Sequence, residues 1–393
     1  MSSLNETMPA AAEALIERCR EIVDDLSLGE VRRWKQEHPG ARAIGYFPVY
    51  APVELVHAAG MLPVGLNGAG DRLDLQYADA RFGSFICSIV KTTLEMGLTG
   101  HLDPLDGMLF SGICDSARNL AFVFERNVPA KYVEFLHLPQ NPASAASTEF
   151  LKGEYRRLAD ALERLGGRKI EEDALRASIA VYNENRRLLR DLYGLRAANP
   201  HQVRTSDIYL LQRAGNFLPV ETHNELLREG LGSLADREAK PRDSVRIVIE
   251  GAFCEQPPLD LIRLVEDAGC YVLDDDFLLG LRWFTGDVPT GGDPLEALAS
   301  CYLNHSVYSS VRHDFRNRRH KLLVEKTQRL GAQAVLFLIA KFCEPAYFDY
   351  VLFKRELEAA AIPHLLLEFE EKAFTFDRLR TEVETFVESL LFD

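Results

Sequence analysis

Two rhythms of apolar residues run through the chain, a helical period and short saturated runs. Residues 9–36 carry the helical period, with Ala12, Leu15, Ile16, Cys19 and Ile22 on one stripe. In ARAIGYFPVYAPVELVHAAGM a short run reaches Phe47, a turn passes Pro48 and Pro52, and a helix opens near Val53. Strands are expected at Gly107–Ser111 and Lys131–His137, with the helical stretch Ser116–Arg126 between them. Strand followed by helix, repeated, implies parallel pairing and a doubly wound sheet.

LPQNPASAAS (138–147) breaks both rhythms and reads as a linker. A helical segment follows, in which Leu175, Ile179, Tyr182, Leu189 and Tyr193 recur at helical spacing, a stripe that suits core packing. The polar stretch DREAKPRDS (236–244) marks a boundary, after which the alternation restarts with strands at Arg246–Glu250, Cys270–Asp274, Ala334–Ala340 and His364–Phe369. The expected fold class is α/β: two doubly wound parallel-sheet, flavodoxin-like domains with additional helical segments. The expected divisions are N-terminal helices in 1–36, a first α/β domain in 37–148, a mainly helical segment in 149–240 and a second α/β domain in 241–393.

A chain of 393 residues exceeds one comfortable core, which agrees with more than one domain. With 47% hydrophobic and 26% charged residues it has an ordinary globular composition. A formal net charge of −14 provides no basic field to track phosphates, so nucleic acid is not an expected partner. The amino terminus lacks the basic-then-apolar pattern of a signal peptide, and no apolar run approaches the length of a bilayer span. A cytoplasmic protein without membrane contact is expected. Seven cysteines with no CxxC spacing then suggest thiols, metal ligands or catalysis in preference to structural disulfides.

Cys114, Cys254 and Cys343 each lie a few residues beyond an apolar run, in MLFSGICDS, RIVIEGAFCEQPP and VLFLIAKFCEP. Ligands of open parallel sheets bind beyond the carboxyl ends of the strands, which is where these thiols should stand. Each is followed by an acid, Asp115, Glu255 or Glu344, and then by a helix start at Ser116, Pro257–Pro258 or Pro345. A thiol at a helix N-terminus is favoured as thiolate, the form that binds metal. The acids would either cap helices or raise the local electron density. Cys87, in RFGSFICSIVKTTLEMGL, precedes or opens another helix. Cys87, Cys114 and Cys343 are too far apart in sequence for a local metal loop, so a shared site forms only on folding. Spacing alone also allows ordinary buried cysteines, as Cys19, Cys270 and Cys301 are read.

The stretches YFPVYAPVELVHAAGMLPVGL, GMLFSGICDSARNL, EDALRASIAVYNENRRLLRDLYGLR, GAFCEQPPLDLI and AGCYVLDDDF resemble the 2-hydroxyacyl-CoA dehydratase and benzoyl-CoA reductase superfamily. They are most similar to the C (gamma) subunits of its ATP-dependent benzoyl-CoA reductases, from about Ile16 to Phe376. The resemblance implies one [4Fe–4S] cluster held by Cys87 in FICSIVK, Cys114 in GICDS and Cys343 in KFCEP, with one iron lacking a cysteine ligand. Cys254 is a fourth candidate. Some relatives carry a cysteine where this chain has Phe47, Pro48 and Val49, so no ligand role transfers there. The resemblance further implies reduction of benzoyl-CoA, an aromatic acyl-CoA substrate, to a cyclic dienoyl-CoA. The implied partners are a homologous cluster-binding subunit, ATP-hydrolysing activator subunits and ferredoxin. The alternatives are 2-hydroxyacyl-CoA dehydration, a non-catalytic relay or scaffold subunit, and a zinc or metal-free thiol protein.

LDDDF (273–277) gathers three carboxylates before Arg282, either a substrate-facing acid or capping and turn residues. SVRHDFRNRRHKLLVEK (310–326) is the densest basic run. Its Arg312, Arg316, Arg318, Arg319 and Lys321 would meet coenzyme A phosphates, an acidic partner subunit or water. His57 and His101 have no recognisable partner, and no GxxxxGK[ST] phosphate loop is present.

Overall fold

The structure, a computed structural model, describes residues 10–128, 131–251, 254–277, 284–307, 311–312, 318–370 and 375–392. Two helices open it, α1 (Ala10–Asp24) and α2 (Gly29–Glu37). The single helical period read over 9–36 is interrupted between them. The Asp25 carboxylate accepts from Ser27 N at 2.8 Å and Gly29 N at 2.7 Å, while Leu28 sits in the left-handed region at φ 56°. An Asp that satisfies backbone donors locally competes with helix continuation.

The first sheet comprises β1 (Ala43–Phe47), β2 (Leu62–Gly65), β3 (Gly107–Ser111) and β4 (Tyr132–Leu136), all parallel, in the order β2-β1-β3-β4. Helices α3 (Val53–Ala58), α4 (Ser88–Leu98) and α5 (Asp115–Asn127) connect them. β2 went unread in the sequence because four residues with a proline establish no period. Next come α6 (Ser147–Gly166), α7 (Glu172–Ala198), α8 (Thr205–Ala214) and α9 (Val220–Ala235). Leu189, Leu192 and Leu211 pack there with Leu15 and Cys19 of α1 as a separate buried cluster.

The second sheet and its helices comprise β5 (Val245–Glu250), α10 (Leu259–Asp267), β6 (Cys270–Asp274), α11 (Pro294–His305), α12 (Arg319–Leu330), β7 (Ala334–Ala340), α13 (Glu344–Ala359), β8 (His364–Phe369) and α14 (Asp377–Phe392). Its strands are again all parallel, ordered β6-β5-β7-β8, so the two sheets share one topology. This is the doubly wound α/β class expected. The saturated run Ala334–Ala340 is explained by its place: β7 lies between β5 and β8 with all seven residues buried. Helices on both faces of a parallel sheet leave a central strand no wet side. Each large side chain so buried, such as Phe337, contributes about 1.5–3 kcal/mol.

In this strand order the connections diverge between β1 and β3, and between β5 and β7. The crevice at such a point, beyond the carboxyl ends, is where open α/β sheets bind ligands. Cys114 follows β3, Cys254 follows β5 and Cys343 follows β7, so three thiols leave switch-point strands.

Candidate functional site

Cys87, Cys114, Cys254 and Cys343 line one cavity of about 620 Å³ between the carboxyl ends of the two sheets. Three of them occupy the same local position. Cys87 is the N-cap of α4, Cys114 of α5 and Cys343 of α13. The helices begin immediately after the cysteine, α5 at Asp115 and α13 at Glu344, each one residue earlier than the Ser116 and Pro345 starts read from the sequence.

Backbone geometry delivers each thiol. Gly251, at φ 103°, turns the chain at the end of β5, and a Cβ there would lie 2.9 Å from Ile339 Cγ1. Phe342 adopts φ 66°, a left-handed conformation uncommon outside glycine, and the turn closes as Cys343 N donates to Ala340 O at 3.0 Å. Ser111 Oγ donates to Val49 O at 2.6 Å, joining the end of β3 to the loop after β1.

The thiols differ in their electrostatics. Cys114 is held below the ordinary thiol range, chiefly by a hydrogen bond from Cys254, against burial, with the Ala117 N–H adding to the lowering. That amide donates to Cys114 Sγ at 3.4 Å. Cys254 is pushed well up by burial, then by its bond to Cys114. The expectation of thiolate at a helix start therefore fails for Cys254 as a free thiol, and Cys87 is also raised, by burial and then by Glu255. Desolvation and a neighbouring carboxylate outweigh the dipole there. Cys19, Cys270 and Cys301 are buried in cores and pushed up to about 12 chiefly by burial, the inert class expected.

The donor set is all sulfur, which suits iron–sulfur chemistry. Arg312 Nη2 is buried in the same wall without a hydrogen-bond partner among the described residues, a cationic donor left over for an anionic occupant. Among the described residues no three His, Cys, Asp or Glu side chains close tightly enough to grip a single ion. One ion needs every ligand within about 2.0–2.3 Å of one point, whereas a cluster spreads its ligands over several irons. The cavity and its thiols fit the larger group.

The acids beside the cysteines divide. Asp115 and Glu344 are exposed in the first turns of α5 and α13, where negative charge complements the dipole. Glu255, only 2% exposed, reaches another helix altogether: its carboxylate accepts from Ser88 Oγ at 2.6 Å and Ile89 N at 3.0 Å, in α4. Sequence proximity gave no hint of that partner.

The turn reading of LDDDF holds in part, since Asp275 accepts from Phe277 N at 3.0 Å, but the three carboxylates are chiefly ion partners. Asp275 accepts from Tyr193 Oη and from Arg196 Nη1, both at 2.7 Å, in a buried pair linking β6 to α7. Asp274 lies 3.4 Å from Lys326 and Asp276 3.8 Å from Arg319. None of the three lines the cysteine cavity; all three are ion partners, with Asp275 buried and Asp274 partly exposed. Arg282 lies outside the described residues, as does Arg316.

The basic run is also divided. Arg319 is committed to Glu250, at 2.7 Å, and to Asp349, so it is not a free phosphate ligand. Glu250 is pushed up to about 7 by burial and then by Asp276, against Lys326 and Arg319. Arg318 and Lys321 are exposed. Of the run's described cations only Arg312 reaches the cavity, where it donates to Gln140 Oε1. His57 has partners after all, Ser178 at 2.9 Å and Glu221 at 3.1 Å, and His101 meets Thr99 at 2.8 Å; neither lines the cavity. The sequence reading missed the mouth itself, where Phe85, Phe342 and Phe348 stand 69%, 42% and 67% exposed. Aromatics beside two of the cysteine motifs were the available signal.

Against known proteins, the family described as 2-hydroxyglutaryl-CoA dehydratase, D-component, matches residues 48–390. The C subunit of benzoyl-CoA reductase from Thauera aromatica is 40% identical over 377 residues, 96% of this chain and 98% of that protein. The (R)-phenyllactyl-CoA dehydratase beta subunit of Clostridium sporogenes is 31% identical over 90% of this chain and 93% of its own length. The beta subunit of (R)-2-hydroxyglutaryl-CoA dehydratase from Acidaminococcus fermentans is 30% identical over 91% and 94%.

Proposed function

We propose a function from one premise: the chain belongs to the 2-hydroxyglutaryl-CoA dehydratase D-component family. It is an iron–sulfur subunit of an oxidoreductase complex that reduces the ring of benzoyl-CoA, or a substituted relative, to a cyclic dienoyl-CoA. The reaction takes up two electrons and two protons per ring. The observation that carries the reading is the convergence of Cys87, Cys114 and Cys343, each at a helix N-terminus, on one cavity. The greater identity to the reductase subunit than to the dehydratase subunits supports the reductive branch.

Cys87, Cys114 and Cys343 would hold a [4Fe–4S] cluster and leave one iron without a cysteine ligand. Bound there, the cluster would supply low-potential one-electron chemistry. The chain's own residues set its surroundings. Helices α4, α5 and α13 aim their positive ends at the thiolates. Arg312 places a guanidinium in the wall, facing the charge of an anionic cluster or thioester substrate. Exposed Phe85, Phe342 and Phe348 form an apolar collar of the kind that marks a contact surface. We take this collar as the face that meets a homologous cluster-binding subunit, and so keeps water from the cavity.

Electrons are assigned to ferredoxin, delivered through ATP-hydrolysing activator subunits, since this chain has no phosphate loop. The division into 1–36, 37–148, 149–240 and 241–393, and a cytoplasmic setting, belong to the same proposal. Among the described residues no helix is long and apolar enough to cross a membrane.

The dehydratase relatives favour a second reading, radical dehydration of a 2-hydroxyacyl-CoA at the same thiols. Anaerobic purification of the complex, with iron and sulfide analysis, tests the cluster; colourless protein without iron removes both readings. Incubation with benzoyl-CoA and reduced ferredoxin then separates them. Consumption of two electrons per dienoyl-CoA supports reduction, and elimination of water without net electron use supports dehydration.

A further inference from the structure

The Cys254–Glu255 dipeptide makes two contacts that no motif explains. It lies beyond β5, in the second sheet, yet both side chains act on helices of the first. Cys254 lines the same cavity as Cys114, the N-cap of α5, and its thiol lowers the Cys114 pKa. The Glu255 carboxylate accepts from Ser88 Oγ at 2.6 Å and from Ile89 N at 3.0 Å, at the start of α4.

The second contact replaces something α4 lacks. An N-cap side chain ordinarily accepts from the second or third helical N–H, and an uncapped helix leaves those donors orphaned. Cys87 occupies the N-cap position and makes no such bond with its side chain. Glu255 arrives from the other sheet and takes the Ile89 amide, while the Cys87 sulfur, approached by the Val90 N–H, faces the cavity. The three cysteine helices thus satisfy their first turns differently. Cys114 accepts the Ala117 amide with its own sulfur at 3.4 Å. α13 carries Pro345 in its first turn, where one amide hydrogen is simply absent. Among the described contacts, α4 takes its cap from a distant segment.

We infer that Glu255 is a positioning residue: it caps α4 from the second sheet and so clasps a cysteine helix of the first sheet to the second. The pocket is thereby assembled across the two sheets before any metal enters. Glu255 is 2% exposed, and its loss removes the acceptor of both the Ser88 hydroxyl and the Ile89 amide. The bearing on a cluster rests on the function proposed above; the clasp itself does not.

The test compares the full-length chain with its Glu255→Ala, Glu255→Gln and Ser88→Ala variants. In the metal-free proteins, hydrogen exchange of the Ile89 amide and alkylation of Cys87 are followed, with Cys19 as the internal control. Glu255→Ala is expected to speed both by roughly tenfold while Cys19 stays protected. Glu255→Gln keeps an acceptor oxygen and is expected to restore near wild-type behaviour, and Ser88→Ala falls between. After reconstitution with iron and sulfide, Glu255→Ala is expected to take up less iron than Glu255→Gln and to show an altered paramagnetic signal when reduced. Unchanged exchange and alkylation in Glu255→Ala overturn the clasp, as does parallel opening at Cys19, which would mean general destabilisation. Should Glu255→Ala not fold, Ser88→Ala decides, and wild-type labelling of its Cys87 overturns the proposal. Wild-type chain that refuses iron would sink the cluster reading and leave the exchange and labelling outcomes standing.

Discussion

Cys254, after β5, and Cys114, at the N-terminus of α5, line one cavity, and a hydrogen bond from the Cys254 thiol holds the Cys114 pKa down. That bond is the largest cause of the lowered Cys114 pKa. Its removal in Cys254→Ala should therefore raise the pKa of Cys114 in metal-free protein, moving the alkylation profile of that thiol to higher pH. A profile identical to wild type would show that the bond does not set the thiolate population.

Cys87→Ala, Cys114→Ala and Cys343→Ala should each take iron content from roughly four per chain to background, since three thiolates are the fewest that anchor a four-iron cluster in this reading. Cys19→Ala and Cys301→Ala should retain it, because neither sulfur lines the cavity. Anaerobic iron and sulfide analysis reads the difference; a full complement in any of the first three overturns the assignment.

Asp275→Ala should cost about 3–5 kcal/mol in urea unfolding, because it leaves the Arg196 guanidinium buried and unpaired at 0% side-chain exposure. A loss below about 1 kcal/mol would mean that water or a shifted side chain reaches the arginine.

Arg319→Ala should destabilise the protein by about 3 kcal/mol, as Glu250 and Asp349 lose their shared cation. Lys321→Ala, at an exposed position, should stay within about 0.5 kcal/mol. Calorimetry with benzoyl-CoA should find affinity changed by less than about twofold in Arg319→Ala. A large affinity loss without destabilisation would return Arg319 to the phosphate role.

Buried His223 has its pKa lowered from 6.5 to about 4 by burial, although its bond to Leu211 O works against the shift. Nε2 donates to that carbonyl at 3.1 Å and Nδ1 accepts from Asn185 at 2.9 Å, so the folded protein holds the ring neutral. Because the folded pKa lies below the unfolded one, the contribution is fully present above pH 6.5 and is lost as pH falls from 6.5 to about 4. The loss is on the order of 3 kcal/mol. Urea midpoints between pH 7 and 4.5 should fall less steeply in His223→Gln than in wild type, and equal slopes would contradict this.

Much of the fold was legible because local rules decide it. Gly107–Ser111, Cys270–Asp274, Ala334–Ala340 and His364–Phe369 are strands at the bounds read from the sequence, since a saturated run between turn residues has few other fates. The break at Asp25–Leu28 and the short strand β2 escaped notice because each depends on a few residues without a period. Cys114, Cys254 and Cys343 could be placed on the binding edge from strand ends alone, as parallel sheets present one edge to ligands.

By itself, then, the amino-acid order determined the alternation of strands and helices, the burial of β7 and the edge on which the thiols stand. Tertiary structure alone decided who meets whom. It took Glu255 to α4 in place of its own helix, turned the LDDDF carboxylates inward to Arg196, Lys326 and Arg319, and left Cys19, Cys270 and Cys301 away from the cavity. The reason is physical: periodicity is a property of neighbours along the chain, whereas a buried charge or donor is satisfied by whatever partner folding brings within about 3 Å.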